Sequence, residues 1–445
     1  MLEFDNDFFN KDFDNLYVES LDKLLSYPRS PLHLNDDVNI YINNELYVKK
    51  PYIIFEEDIT KTNYDLSYFG LAIYKNKNID CSNVNTKCYQ GTDIYNYDEV
   101  FYIVENNEAI AYYAANLLDS VILDNITVSD IVYPVTTLDE LFLPNQTVKN
   151  LYLGSNITTS KANSFKRGHV ENVYINSITQ YIDIDREGDE LYSTPTATGS
   201  NLYVDGNLYE EFISPVGMKS VPSALFYNCQ SLKKAVLNEG VEYINGYAFS
   251  LTSLTDLYLP STLKTIYYLA LDKVEKVHLA DLEKYVENVV FVKFMGLPNT
   301  ISAPFMSGAK LYIDGKLITE LVLPDTVTNI GEYVFDGLTG VSKLYVPDTV
   351  LSIGYNAFAN MPDLIDVRVP SYDYYDNFFS LYTFNMTEYN GAYYFGNEAN
   401  PYAYLAKVDN NTTDLVVHED IKAILYAKEV SELSDCVFGQ VDLCR

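Results

Sequence analysis

The feature that most constrains the fold is a repeat of 23 residues in the C-terminal half of the chain. The pattern Leu-x-Val/Leu-Pro-Asp-Thr-Val-x-x-Ile-Gly-x-x-Ala/Val-Phe begins at Leu321 and returns at Leu344. Upstream units step by 22 or 23 residues, so the period holds, with gaps, from about residue 138 to residue 370. Periods of about 20 to 50 residues are typical of solenoids, in which short units stack on each other. We therefore predict a stack of short units with one shared interior.

Each unit is predicted to be one strand followed by a turn into the core. The alternating apolar residues Leu344 and Val346 predict a short strand with one buried face. Pro347 cannot donate a hydrogen bond to a neighbouring strand, so it ends the strand. Gly354 permits a tight bend, and Phe358 then enters the core. Since a lone unit buries one face only, it needs neighbours above and below, and the stacked strands form one parallel sheet.

A longer internal similarity predicts two hairpins. Residues 201–215 and 310–324 are identical at seven of fifteen positions. Each contains a central Asp-Gly pair, beginning at Asp205 and at Asp314. Because Asp-Gly between two strand-like runs favours a two-residue turn, we predict a β-hairpin at the edge of the stack in both places.

Other regions depart from the period. Segments 281–309 and 371–400 interrupt it and are predicted to be insertions in a solenoid of residues 136–445. Residues 1–135 lack the period and are predicted to form a separate, mixed but strand-rich domain that caps or anchors the solenoid. The family of this N-terminal region is not indicated.

The N-terminal region contains several apolar runs. The runs at 38–42, 47–55 and 71–74 predict strands, because they alternate or are continuously apolar. The stretch from Glu108 to Leu118 is rich in alanine and predicts one helix.

The balance of charge limits the choice of partners. The chain has 62 Asp and Glu against 30 Lys and Arg, a net charge of -32. A field of that sign repels phosphate, so we expect no nucleic-acid partner. The preferred interpretation is that the charge keeps a large surface soluble. No apolar run is long enough to span a bilayer, so no membrane insertion is expected. The 42 tyrosines suit half-exposed strand faces and adaptable contact surfaces.

No catalytic, cofactor-binding or metal-binding residues are predicted. Serine-hydrolase elbows, phosphate-binding glycine loops and His-Glu-x-x-His helices are absent from the sequence. Asp183, Asp185 and Glu187 alternate before a glycine, as in calcium loops. Thr194 occupies the position of the closing bidentate glutamate, so a solvated turn is preferred.

The cysteines leave alternatives open. Cys81 and Cys88 could close one small loop, and Cys436 and Cys444 another. Five cysteines are an odd number for a disulfide framework, so reduced buried thiols or one or two optional bridges are the preferred interpretation.

The repeat resembles the BspA-type leucine-rich-repeat family. The matching motifs are Leu-Pro-Asp-Thr-Val-Thr-Asn-Ile-Gly at 323–331, Ile-Gly-Tyr-Asn-Ala-Phe at 353–358 and Leu-Tyr-Ile-Asp-Gly-Lys-Leu at 311–317. The run at 390–402 resembles an insertion found in such proteins, and the resemblance covers roughly residues 138–440. It implies a β-rich α/β solenoid with extracellular binding, adhesion or assembly as its role, and no catalytic residues are carried over. Many family members have a cysteine after the Ala-Phe pair, a position that only Cys229 fills here.

Three hypotheses for function follow. The first is a non-catalytic attachment or structural protein that binds a cell-surface protein or glycan, and that also contacts other assembly subunits or a second copy of itself. The acidic start Met-Leu-Glu-Phe lacks the basic and apolar parts of a secretory signal, which favours a virion component such as a phage tail, fibre or capsid decoration. The second is a bacterial or protist surface adhesin whose signal has been removed. The third is an enzyme with its active site in residues 1–135 and the repeats as an accessory binder.

Overall fold

The chain divides into two compact units. The first unit comprises residues 1–209 and 228–230, and the second comprises residues 210–227 and 231–445. The proposal that residues 1–135 form a separate domain stays a prediction. The computed structural model describes residues 15–18, 39–47, 52–55, 71–74, 87–189, 191–364, 366–368, 387–397, 400–408, 412–421 and 423–424.

Among its described residues, the first unit consists of short strands and one short helix, α1 (Ile178–Asp183). The helix begins after Ser177, whose hydroxyl accepts a hydrogen bond from the Thr179 N–H. Two 3₁₀ turns follow at Glu187–Asp189 and Leu191–Ser193. The strands are β1 (Asn15–Val18), β2 (Asn39–Ile42), β3 (Glu45–Tyr47), β4 (Tyr52–Phe55), β5 (Leu71–Tyr74), β6 (Lys87–Gln90), β7 (Ile94–Tyr97), β8 (Val100–Glu105), β9 (Glu108–Ala114), β10 (Asp119–Val121), β11 (Asn125–Val128), β12 (Ile131–Leu138), β13 (Thr147–Tyr152), β14 (Thr159–Ser160), β15 (His169–Ile175), β16 (Asp185–Arg186), β17 (Asn201–Val204) and β18 (Asn207–Leu208).

Parallel pairing dominates the sheets of the first unit. One sheet has the order β10-β13-β15-β17-β18, and its first four strands are parallel. A second has the order β16-β14-β12-β9-β8-β7, with β11 paired to β12. Two smaller sheets, β1-β2-β3 and β4-β5-β6, lie earlier in the chain. Leu151, Val173 and Leu202 are in register across β13, β15 and β17 and are fully buried, so each strand contributes one level of the core.

The second unit repeats this construction. Its helix is α2 (Leu282–Asn288), and two 3₁₀ turns lie at Phe294–Gly296 and Pro298–Thr300. Its strands are β19 (Glu211–Ile213), β20 (Ser220–Val221), β21 (Lys234–Val236), β22 (Tyr243–Ile244), β23 (Asp256–Leu259), β24 (Thr265–Ile266), β25 (Lys276–Leu279), β26 (Val290–Phe291), β27 (Lys310–Ile313), β28 (Lys316–Leu317), β29 (Glu320–Val322), β30 (Asn329–Ile330), β31 (Lys343–Tyr345), β32 (Ser352–Ile353), β33 (Asp366–Arg368), β34 (Thr387–Tyr389), β35 (Ala392–Asn397), β36 (Asn400–Val408) and β37 (Ala423–Ile424).

Two parallel sheets run along the second unit. One has the order β19-β21-β23-β25-β27-β28 and the other the order β20-β22-β24-β26. Each coil therefore supplies one strand to each sheet, with a turn between them. The same arrangement returns as β29-β31-β33 and β30-β32, and β34 to β37 form a further sheet. The fold is thus a β-solenoid, as the period predicted, and its described residues include little helix.

The predicted core positions are confirmed. Phe335 and Phe358 are buried with their ring centroids 5.6 Å apart, and Ile330 and Ile353 are buried beside them. Gly354 begins the predicted turn, since its carbonyl accepts a hydrogen bond from the Ala357 N–H at 3.2 Å. A Cβ at Gly354 would lie 2.4 Å from the Glu332 nitrogen, so the backbone of the preceding coil excludes any side chain there.

The two predicted hairpins are also confirmed. The strands β17 and β18 are antiparallel around Asp205, and β27 and β28 are antiparallel around Asp314. Both aspartates have positive φ, as does the glycine that follows each, which is the geometry that two-residue hairpin turns require. A third hairpin of the same sequence type, β2-β3 with Asn43 and Asn44 at positive φ, lies in the N-terminal region, where no repeat was predicted.

The predicted strands of the N-terminal region are confirmed at β2, β4 and β5, but the predicted helix is wrong. Residues 108–114 form strand β9, which pairs antiparallel with β8 and parallel with β12. The run resembled a helix because the strand is buried on both faces, so its apolar residues do not alternate with polar ones. The overlooked signal is the Asn106-Asn107 turn, in which both residues have positive φ.

The spacing of the strands changes at the insertion predicted for residues 281–309. Val277 lies opposite Leu311, a step of 34 residues instead of 22 or 23. Helix α2 occupies part of the extra length, with Asp281 accepting from the Lys284 N–H at its start. The Glu287 carboxylate accepts from the Thr328 N–H at 2.7 Å, so the helix is fixed to a later coil. Of the insertion predicted at 371–400, residues 371–386, 398 and 399 lie outside the described residues.

Candidate binding faces of the parallel sheets

Side chains that point away from the core form two candidate binding surfaces. We call the outward residues of β10, β13, β15 and β17 the first sheet face. We call the outward residues of β19, β21, β23, β25 and β27, together with those of β29 and β31 in the next sheet of the same unit, the second sheet face. Because parallel strands are stacked in register, each outward position forms a row that crosses the strands.

A row of amides crosses the first sheet face. Asn150 donates from Nδ2 to Asp119 Oδ1 at 2.8 Å. Asn172 donates to Asn150 Oδ1 at 3.1 Å, and Asn201 donates to Asn172 Oδ1 at 3.2 Å. Each amide therefore satisfies its neighbour, and the row carries a single charge, at Asp119.

A row of tyrosines lies beside the amides. The rings of Tyr152 and Tyr174 are stacked 4.4 Å apart, and those of Tyr174 and Tyr203 are 4.5 Å apart. Burial raises the pKa of the Tyr174 hydroxyl, and its two neighbours raise it further. Since the ring faces cover each other, the row presents ring edges and hydroxyls to a partner.

The second sheet face has a row of alternating charge instead. Glu211, Lys234, Asp256 and Lys276 are in register on four successive strands. Lys234 pairs with Glu211 at 2.8 Å, and Lys276 pairs with Asp256 at 3.0 Å. Burial opposes ionisation of Asp256, but its hydrogen bonds from Lys276 and Thr255 outweigh this and lower the pKa of the carboxyl.

The alternation ends at Lys310. This residue lies opposite Lys276, so two lysines are adjacent where the pattern would place an acid. Lys310 is exposed, and its ammonium group has no hydrogen-bond or ion-pair partner in the part of the chain that the structure describes. Alternation resumes at Glu320 and Lys343, which pair at 2.6 Å.

A row of rings accompanies the charged row. His278 is stacked on Tyr258 at 3.8 Å and on Tyr312 at 4.7 Å. Its Nε2 atom is buried without a hydrogen-bond partner and lies 3.9 Å from Asp256 Oδ1. Burial lowers the pKa of His278; Asp256 raises it, and Lys276 lowers it further. At neutral pH the imidazole is therefore largely uncharged.

A buried ion cluster in the first unit is satisfied internally. Lys87 Nζ donates to Asp139 Oδ2 at 2.5 Å and to the Tyr112 carbonyl at 2.8 Å, and Lys161 donates to Asp139 Oδ1 at 2.7 Å. Burial lowers the pKa of Lys87 to about 8 despite the favourable carboxylate. Burial also opposes ionisation of Asp139, but the two lysines outweigh it and lower the pKa of the carboxyl. The arrangement is that of a structural ion pair.

The calcium-like run does not converge on one point. Asp183 ends helix α1, Asp185 lies in strand β16, and Glu187 begins a 3₁₀ turn. Arg186, between them, donates to the Tyr181 and Ile184 carbonyls. Among the described residues, no group of three potential metal ligands comes together. Within the same residues, no helix has the length and hydropathy needed to cross a membrane.

The cysteines are resolved in part. Cys88, in strand β6, is disulfide-bonded, whereas Cys229 is buried and forms no disulfide bond. Cys81, Cys436 and Cys444 lie outside the described residues.

Sequence reasoning did not find Lys276, His278 and Lys310. The signal was available, because aligning the strands by their buried residues places these side chains on one surface. The residues were missed because the alignment followed the apolar positions, which define the fold, and not the polar positions between them.

Comparison with known proteins identifies the repeat. The family model described as BspA type leucine rich repeat region matches residues 191–299 and 308–399, in six copies. The repeat region of this chain belongs to that family. No curated protein sequence matches the chain significantly.

Several solved structures are similar to the chain. A leucine rich cell surface protein from Faecalibacterium prausnitzii A2-165 is 19% identical over 63% of this chain and 79% of its own, with a TM-score of 0.40. The pneumococcal vaccine antigen PcpA is 18% identical over 62% of this chain and 70% of its own, with a TM-score of 0.35. A leucine-rich repeat protein from Bacteroides ovatus ATCC 8483 is 13% identical over 66% of this chain and 100% of its own, with a TM-score of 0.29.

Proposed function

We propose that this chain is a non-catalytic attachment protein that binds a cell-surface protein or glycan through its sheet faces. The observation that carries the proposal is the second sheet face, on which ordered rows of charged and aromatic side chains cross successive coils. Repeat stacks of this kind provide extended surfaces for recognition, because each coil adds one strip of side chains in a fixed position.

The rows suit a partner that lies across several coils. Aromatic side chains supply contact area at low entropic cost, and the charged groups between them provide orientation. Ile213 and Val322 add exposed apolar side chains to the same face, with 54% and 59% of their surface accessible. We assign no residue to catalysis.

The test compares matched substitutions on two sheets. Ile213→Glu and Val322→Glu place a carboxylate on the second sheet face. Val290→Glu, at a residue 58% exposed on β26, makes the same change on the other sheet. None of the three residues belongs to the core, so all variants are expected to fold like the wild type.

Binding of the fluorescently labelled chain to candidate host cells is measured by flow cytometry. We expect each change on the second sheet face to weaken binding by about tenfold or more, because a carboxylate is buried at the contact. The Val290→Glu variant keeps wild-type binding. Equal binding by all three variants would refute the proposed face.

The proposal places the chain on an exterior surface. The carrier is identified by electron microscopy of the native source with an antibody against the chain. Label on virions supports an attachment component of a phage-type particle, and label on a cell envelope supports a surface adhesin. Label confined to the cell interior contradicts both.

A further inference from the structure

We propose that Lys276, His278 and Lys310 form a subsite for one carboxylate-bearing saccharide unit of a glycan. This inference rests on the proposed function and names the chemistry of the partner. The supporting observation is that the alternation of charge ends at Lys310, a lysine at the position where the pattern predicts an acid.

The first step is the energetic cost of that break. Like charges directly opposite each other on neighbouring strands are destabilising. Lys276 is compensated by Asp256, but Lys310 has no such partner among the described residues. A carboxylate from outside the chain would complete the sequence of Glu211, Lys234, Asp256 and Lys276.

The second step is the neighbouring row. His278 lies two residues after Lys276 and points to the same side of the sheet, with Tyr312 stacked on it. The Nε2 atom of His278 is buried, so the imidazole contributes by holding the partly exposed Tyr312 in place, and the Tyr312 hydroxyl can donate to or accept from a ligand hydroxyl. A sugar acid supplies both groups that the subsite needs, a carboxylate for Lys310 and adjacent hydroxyls for Tyr312.

The net charge of the whole chain limits the choice of ligand further. With a net charge of -32, the molecule repels polyanions such as nucleic acids and densely sulfated chains. Asp256 would also repel a second negative charge beside the first. A single carboxylate on an otherwise neutral glycan therefore fits best.

The experiment uses the full chain and soluble probes. Binding of 3′-sialyllactose, lactose, 6′-sulfolactose, sodium acetate and an acetylated pentapeptide with one glutamate is measured by calorimetry at low and high salt. We expect 3′-sialyllactose to bind at least about tenfold more tightly than the other probes, and more weakly at high salt because the site is exposed.

Three variants locate the site. Lys310→Glu and Lys310→Ala are expected to abolish binding of 3′-sialyllactose. Lys264→Ala, which lies outside the second sheet face and is paired with Glu242, should keep wild-type affinity. The Lys310→Glu variant should also unfold at a higher temperature than the wild type, because it restores the alternation. The higher unfolding temperature would show that Lys310→Glu is folded, so that its loss of binding is not caused by misfolding.

Several outcomes overturn the inference. Unchanged binding in Lys310→Glu would do so, as would equal affinity for lactose. Equal or tighter binding of the peptide assigns the site to protein ligands, and of 6′-sulfolactose to sulfate. Acetate binding as tightly as the saccharide means an adventitious ion only.

Cell binding separates the subsite from the proposed function. Loss of cell binding in Ile213→Glu but not in Lys310→Glu would leave the proposed function standing without this subsite. Saccharide binding without any cell binding would leave the subsite standing alone.

Discussion

The two units use similar frameworks but place their charges differently. The first sheet face joins like residues into rows that are uncharged apart from Asp119, and in them each amide satisfies the next and each tyrosine covers its neighbour. The second sheet face alternates acids and lysines. Since the framework depends on the inward positions, the outward positions are free to change chemistry without changing the fold.

The buried aspartates of the two units differ in the opposite way, because here it is the first unit that pairs its charges. In the first unit, Asp139 is held between Lys87 and Lys161. In the second unit, Asp336 is buried with a hydrogen bond from Asn360 at 2.8 Å and has no ion-pair partner among the described residues. Burial raises the pKa of Asp336, and the Asn360 amide offsets this only in part. The two aspartates are therefore expected to respond oppositely to the same substitution.

The largest expected effect is at Asp139. The Asp139→Asn variant leaves Lys87 buried without its counter-ion, and we expect a loss of about 3 kcal/mol in unfolding free energy. Adding Lys87→Met should recover most of the loss, because the unpaired charge is then removed. Urea denaturation followed by hydrogen exchange in β9 and β12 measures both. If Asp139→Asn has the unfolding free energy of the wild type, the ion cluster contributes nothing to stability.

Breaking the amide row should have a smaller effect. Asn172→Leu leaves Asn150 without a donor and Asn201 without an acceptor, with an expected loss of about 1 to 2 kcal/mol. The matched change on the second face is Lys343→Met, which removes one exposed ion pair and should cost less than about 0.5 kcal/mol. The midpoints of urea unfolding give both values. If Lys343→Met loses more unfolding free energy than Asn172→Leu, the outward row of the second sheet face contributes more to stability than the amide row, contrary to this prediction.

At Asp336 the same Asp→Asn change should stabilise the protein. We expect a gain of about 1 kcal/mol at pH 7, because a poorly compensated charge is removed while the acceptor for Asn360 remains. In the wild type, the penalty from Asp336 is present above its raised pKa and is relieved as the pH falls toward the ordinary value of 3.8. The gain should therefore shrink on acidification. Hydrogen exchange in β31 and β32 at pH 7 and pH 4 tests this trend.

Asp139 should show the opposite trend. Because its folded-state pKa is lowered, its contribution is present above the ordinary value of 3.8 and is lost as the pH falls through the folded-state value. Acid should thus weaken β9 and β12 while the penalty from Asp336 is relieved. Equal acid responses in the wild type and both Asn variants would contradict the assignment of the two sites.

The smallest effect concerns His278. Because its pKa is lowered, the imidazole is mostly neutral at pH 7, and it gains positive charge beside Lys310 as the pH falls toward 5. Asp256 faces that charge favourably, whereas Lys234 and Lys276 oppose it. Affinity for 3′-sialyllactose should rise by roughly threefold, equivalent to about 0.6 kcal/mol. Calorimetry at both pH values measures the change, and His278→Gln should show none.

Much of the fold could be predicted because it depends on spacing. The spacing of the repeat predicted that Leu321, Leu344 and Phe358 lie in the core, and all three are buried. The helix predicted at 108–118 failed where burial on both faces removed the alternation that marks a strand. The hairpin β2-β3 was missed because an Asn-Asn pair replaces Asp-Gly in its turn.

The candidate subsite depended on information that the sequence holds less directly. Lys276 and Lys310 are 34 residues apart, so the insertion between them hides their adjacency from any search by period. The stacking of His278 between Tyr258 and Tyr312 is a geometric property of that register. Neither could be inferred until the strands had been paired.

The amide row of the first unit gives that sheet an electrical direction. In each asparagine from Asn201 to Asn150, one side-chain N–H points along the row toward Asp119, so the small dipoles add head to tail, as peptide dipoles do in a helix. The positive end of this line meets a carboxylate, which is the favourable terminus for it. A lysine at position 119 would oppose the whole line, so the polarity of the row restricts which residue can begin it.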